Sequence, residues 1–114
     1  MIYNQFDIVV VPFPFVDSPA SKRRPAIILS SKKYFNQETN HSILAMITSA
    51  RNVPWPCDVT ITDLVSAGLK NASVIRMKLF TIDHKLIIDH LGTLSKKDRQ
   101  SIQKMAKLIF DNFI

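Results

Sequence analysis

Apolar and polar positions alternate along this chain in short blocks, each ending in a turn signal. Residues 7–13 (DIVVVPF) are almost continuously apolar, which predicts a strand buried on both faces, with Pro12 placing its end at an edge or bulge. Pro14, Asp17, Ser18, Pro19 and Ser21 make residues 14–24 a loop. Further strands are predicted at 25–30 (PAIILS), 42–49 (SILAMITS), 58–62 and 72–83 (ASVIRMKLFTID), with a sixth at 86–93. Residues 32–40 are polar, with room for one helical turn. Residues 51–56 carry turn formers, and residues 63–68 read as a short helical turn stopped by Gly68.

The C-terminal pattern is different. Ser95 followed by Asp98 resembles a capping box, and Ile102, Met105, Ala106, Ile109, Phe110 and Phe113 recur at helical spacing. A helix over residues 96–112 is therefore predicted to lay one apolar face on the sheet. Five or six short strands plus one terminal helix define a mainly β fold, a compact antiparallel barrel, as a single domain over residues 1–114.

Composition narrows the function classes. With 46% hydrophobic residues in 114 positions the chain can build a core without staples, and Cys57 alone cannot form an internal disulfide. A lone cysteine suits a reducing compartment, and no leader or membrane span is evident, so cytoplasm is expected. Only Gly68 and Gly92 occur, which excludes a P-loop and a dinucleotide fingerprint. Fifteen Lys and Arg against nine acids give a formal net charge of +6, with Glu38 the single glutamate. Such a surplus favours nucleic acid or an acidic protein, against a plain solvated surface as the alternative.

Conventional catalytic sets are thin. His41, His84 and His90 are scattered, which argues against a zinc site, and Cys57 between Pro56 and Asp58 reads as a buried structural thiol. Asp83 and Asp89 read as turn and surface residues. The cations say more. Lys22, Arg23 and Arg24 lie in a loop braced by Pro19 and Pro25. Arg76, inside an apolar strand, either pairs with an acid or points across a ligand site, and arginine suits bidentate phosphate contacts. Thr48 and Ser49 end a strand with two hydroxyls, either strand filler or phosphate donors. Taken together on a basic domain, these residues describe a phosphate-binding mouth.

Four segments in register resemble the MazF/PemK-like toxins of type II toxin–antitoxin systems: "FDIVVVPFPFVDSPASKRRPAIILS", "AMITSA", "AGLKNASVIRMKLFTID" and "HLGTLS". The resemblance implies a small SH3-like barrel of the CcdB/PemK type with a terminal helix, and a homodimer that cleaves single-stranded RNA without metal or other cofactor. It also implies a cognate acidic antitoxin that covers the active site. Arg24 and Thr48 match the family's catalytic arginine and hydroxyl residue. On that reading Lys22, Arg23, Ser49 and Arg76 hold RNA phosphates, while Phe15 and Trp55 are candidate stacking partners for bases; core packing is expected for Phe13. The general base is left open between a histidine and water. Two positions depart from the family: Phe6 replaces a glycine, and Lys78 stands where some members have aspartate. Competing readings are a non-catalytic nucleic-acid- or protein-binding barrel, and a CcdB-type gyrase inhibitor. The chain end Asp111-Asn112-Phe113-Ile114 lacks the tryptophan on which the latter depends.

Overall fold

The computed structural model describes residues 3–14 and 21–113. Six strands form one antiparallel sheet: β1 (Asp7–Phe13), β2 (Lys22–Ile28), β3 (His41–Ser49), β4 (Val59–Thr60), β5 (Ser73–Asp83) and β6 (Asp89–Thr93). Their order is β4-β5-β3-β2-β1-β6. Among the described residues three α-helices complete the fold, α1 (Gln37–Thr39), α2 (Leu64–Ala67) and α3 (Lys96–Ile109), with a π-helical turn (Lys32–Asn36) leading into α1. No helix among the described residues is long and apolar enough to cross a membrane.

Strand alternation sorts the apolar residues onto two faces. Ile8, Ile27, Ala45, Ile47 and Ile75 form one cluster, which Ile102 of α3 completes. Val9, Val11, Ala26, Ile28, Leu44 and Ile82 form the other. Register pairs such as Ile8↔Ile27 and Val9↔Ala26 keep each set together. The near-continuous apolar run of β1 follows directly, because both faces of that strand are covered. The expected mainly β architecture with a terminal helix is the one observed: the sheet curls into a half-barrel.

Several boundaries move. β2 starts at Lys22 and ends at Ile28, so the three cations belong to the strand and not to the loop assigned to residues 14–24. Main-chain pairing to β1 carries them, through Phe13↔Lys22, Pro12↔Arg23 and Val11↔Arg24. Their exposed polar side chains gave no apolar alternation to reveal it. β4 is only two residues long, and a 3-10 turn (His84–Leu86), capped by Asp83 accepting from Lys85 N, takes the start of the expected sixth strand. The last helix stops at Ile109, because Phe110 leaves helical geometry (φ −99°, ψ 46°).

Asp98 is also more than a capping residue. Ser95 Oγ accepts from Asp98 N, as in a capping box, but the fully buried Asp98 carboxylate accepts from Thr62 N (3.0 Å), Thr62 Oγ1 (2.7 Å) and Asp63 N (3.0 Å). Burial pushes this carboxyl up, and these donors outweigh it, leaving it below the ordinary aspartate value. It ties α3 to the link between β4 and α2.

Both glycines of the chain meet at one seam, where α2 packs on β6. Gly68 ends α2 with φ 72°, and a Cβ there would lie 2.1 Å from Leu91 O; at Gly92 it would lie 2.3 Å from Ser66 O. Since α2 follows edge strand β4 and rests on the opposite edge strand β6, this contact closes the curled sheet. Gly92→Ala is expected to destabilise the fold by about 1–3 kcal/mol, read as a lower urea midpoint with an unchanged slope. An unchanged midpoint would show that the seam can open without cost.

Phe6, the residue in the family's glycine position, adopts the left-handed backbone (φ 74°) that glycine takes freely. Its N–H donates to Ile28 O and its carbonyl accepts from Leu94 N, while the ring packs on the core beneath the Arg99 guanidinium (5.4 Å). The strand entry thus keeps the conformation that glycine would supply, with ring burial offsetting its strain.

Candidate active site

The β2–β3 ladder includes Ala26↔Met46. Arg24 and Thr48 each lie two residues beyond that pair on their strands, and both line one cleft of about 320 Å³. The cleft lies at the end of the sheet where β2 begins, β3 ends and β5 begins; Thr48↔Val74 and Ser49↔Ser73 align the last two. Its rim is completed by Ser49, Arg51, Lys70 and Ser73. Three basic side chains (Arg24, Arg51, Lys70) thus surround three hydroxyls. The volume lies at the lower end for ligand sites, suited to one small anionic unit. Cations and hydroxyl donors around a cleft of that size suit a phosphate oxygen.

Arg24 sits over the Phe13 ring at 5.9 Å. Phe13 is therefore not the core residue its sequence suggested; it is exposed at the strand end, on the same face as Arg24. Thr48 Oγ1 accepts a 2.6 Å hydrogen bond from Asn52 Nδ2. Alternation also divides the cation triad. Lys22 and Arg24 share one face of β2 through Phe13↔Lys22 and Val11↔Arg24, and Arg23, opposite Pro12, projects on the other.

Arg76 takes the pairing alternative. It is 9% exposed; Nε and Nη2 donate to the Asp58 carboxylate (3.2 and 2.9 Å), and Nη2 also donates to Val53 O (2.9 Å). The Arg76 hydrogen bond holds the Asp58 carboxyl below its ordinary value against the opposing effect of burial, with help from Trp55 N. The acid lies 18 residues upstream of Arg76, directly before β4 and at the first position of the strand expected over residues 58–62. Trp55, half exposed, lies over this pair with the Arg76 guanidinium 5.2 Å and the Lys78 ammonium 4.8 Å from its ring. Lys78 thus has a defined place on the indole, where a carboxylate would have no matching partner.

Phe15 lies outside the described residues. Cys57 is exposed, correcting the expectation of a buried thiol: its φ of 69° turns the side chain out while Asp58 takes the inward position. The histidines occupy other places. His84 Nε2 pairs with Ser42 Oγ (2.7 Å), His41 approaches Asp83 (4.0 Å) and His90 approaches Asp7 (3.4 Å). His41 and Thr48 are at opposite ends of β3, roughly 23 Å apart along the strand. Sequence reasoning missed Arg51 and Lys70, which sit in turns without periodicity. Their one signal was position: each lies within three residues of a strand end that the pattern had already placed.

Residues 4–110 match the family of PemK-like, MazF-like toxins of type II toxin–antitoxin systems, and the chain belongs to that family. A search of curated proteins finds no match. The fold resembles MazF in a MazE–MazF crystal structure from Deinococcus radiodurans (TM-score 0.72, 18% identity, 97% of each chain covered). It also resembles the Mycobacterium tuberculosis toxin MazF-mt6 (TM-score 0.69, 21% identity, 92% of this chain and 96% of that one). A third similar structure is a mycobacterial endoribonuclease in complex with its cognate antitoxin (TM-score 0.70, 13% identity, 94% and 91% covered).

Proposed function

We propose that this toxin is a metal-independent endoribonuclease that cleaves single-stranded RNA in the cytoplasm, with Arg24 and Thr48 as its catalytic residues. The observation that carries this reading is the convergence of Arg24, Thr48, Arg51 and Lys70 on one cleft. In the reaction the ribose 2′-oxygen attacks the adjacent phosphorus, the bond to the 5′-oxygen breaks, and the products are a 2′,3′-cyclic phosphate and a 5′-hydroxyl. Negative charge builds on the non-bridging oxygens, where the Arg24 fork and the Thr48 hydroxyl stabilise it. Guanidinium is too weak a base to take the 2′-hydroxyl proton. No carboxylate or imidazole is among the described residues lining the cleft, so we assign that proton to water, which also returns a proton to the departing 5′-oxygen.

Lys22, Arg51, Lys70 and Ser49 would hold flanking phosphates, which makes binding weaken with salt. Arg23, on the other face of β2, would reach only RNA that wraps the strand edge. Arg76 would act indirectly, by supporting Trp55 as a platform on which a base stacks. A cognate antitoxin with an acidic segment would suit the +6 chain and occupy the same cleft. The exposed Leu108, Ile109, Phe110 and Phe113 offer an apolar surface for a homodimer.

Long RNA incubated with the purified protein in EDTA is expected to give discrete cuts whose 3′ fragments accept phosphate from a polynucleotide kinase without prior dephosphorylation. Intact RNA that is nevertheless bound would favour a non-catalytic barrel.

A further inference from the structure

Thr48 does not stand alone in the cleft. β3 ends in a tight turn in which Ser49 O accepts from Asn52 N (3.1 Å) and Ser49 Oγ accepts from Arg51 N (3.2 Å). Across the turn base, Ala50 N donates to Ala72 O at the start of β5 (3.0 Å). These bonds fold Asn52 back over the strand, so that its Nδ2 donates to Thr48 Oγ1 at 2.6 Å. A hydroxyl that accepts on one side must direct its own hydrogen elsewhere. The cations sharing the cleft, Arg24, Arg51 and Lys70, can only donate and offer that hydrogen no acceptor. Among the described residues no hydrogen bond donated by Thr48 Oγ1 is found, so that hydrogen is available to an oxygen of the ligand.

We infer that Asn52 is a positioning residue: its amide fixes the rotor of Thr48 so that the hydroxyl arrives as a hydrogen-bond donor to the phosphoryl oxygen. This rests on the assignment of Thr48 to the catalytic site. The amide also withdraws electron density from the hydroxyl oxygen, which strengthens it as a donor. A threonine that had to choose its rotor after RNA bound would spend part of its interaction on ordering itself.

Four variants test the inference on a single-stranded RNA substrate in EDTA: Asn52→Ala, Asn52→Asp, Thr48→Val and Asn52→Ala/Thr48→Val. Asn52 is exposed, so each Asn52 variant is expected to unfold at the parental temperature. Asn52→Ala is expected to lower kcat roughly 3- to 10-fold with little change in KM, the loss of one hydrogen bond. In the double variant the alanine is expected to cost nothing beyond Thr48→Val alone. Asn52→Asp carries the most specific expectation. At neutral pH its carboxylate accepts the Thr48 proton and kcat falls to the Thr48→Val level. Relative to the parent, its rate recovers as the pH falls toward the ordinary aspartate range near ~4, where the protonated side chain can donate again. Parental kcat in Asn52→Ala, additive loss in the double variant, or full activity of Asn52→Asp at neutral pH would each overturn the role of Asn52 while Thr48→Val stays measurably impaired. A fully active Thr48→Val would instead remove the site assignment itself.

Discussion

Arg24→Ala is expected to lower the rate of RNA cleavage by on the order of 10²–10³, about 3–4 kcal/mol of transition-state stabilisation, and to release the growth arrest that the toxin causes. The loss should fall mainly on kcat. Arg51 and Lys70 still line the cleft, whereas only a donor aimed at the reacting phosphate meets the charge that builds in the transition state. Arg24→Lys separates charge from geometry. An ammonium keeps the positive charge but not the planar fork, so an intermediate rate is expected, well below the parent. Arg24 is exposed and no ion pair holds it among the described residues, so neither variant should move the unfolding midpoint by more than about 0.5 kcal/mol. Single-turnover cleavage of a labelled RNA measures the step directly. Parental rates in Arg24→Ala would take Arg24 out of the reaction.

The parts of this molecule legible in the sequence are those where burial writes a period. β1 appears with its bounds unchanged, and β3, β5 and α3 within a few residues, because their side chains face a core on one side or both. β2 was misplaced by three residues at its start and two at its end, since Lys22, Arg23 and Arg24 pair only through their main chain. That error mattered for the site. As a loop the three cations formed one patch; as a strand they divide between two faces, and only Arg24 lines the cleft with Thr48. Arg24 itself was found through a resemblance, and the cleft's other cations, Arg51 and Lys70, were not found. Turns carry no period, and which turn faces which strand end is set by a half-barrel that only tertiary packing defines. The Asp58–Arg76 pair was not read because the alternation at 58–62 does not say which distant strand it faces, although pairing with an acid was one of two alternatives that a buried arginine allows.

That pair carries the second large effect. Asp58→Ala is expected to destabilise the protein at neutral pH by about 3–5 kcal/mol, because it strands the Arg76 guanidinium in a nearly closed site. Both side chains are nearly buried, at 12% and 11% exposure. The Asp58 carboxylate also accepts from Trp55 N (2.9 Å), and Asp58 N donates to Trp55 O, so the turn over residues 53–58 loses its tie at the same time. The pH dependence follows from the direction of the Asp58 shift. Its folded carboxyl is held below the ordinary value of 3.8, chiefly by the Arg76 hydrogen bond, so the pair's stabilisation is fully present above that value and is lost as the pH falls through it toward the folded pKa. The gap between parent and Asp58→Ala in urea midpoints should therefore be widest near neutrality and narrow below about pH 4. Replacing both partners, as in Asp58→Leu with Arg76→Met, should recover much of the loss, since neither charge is then stranded. A double variant as unstable as Asp58→Ala alone would mean that the turn, rather than the buried charge, sets the cost. In that case Trp55 should lose its fixed place over β5 in both proteins, which its fluorescence would report.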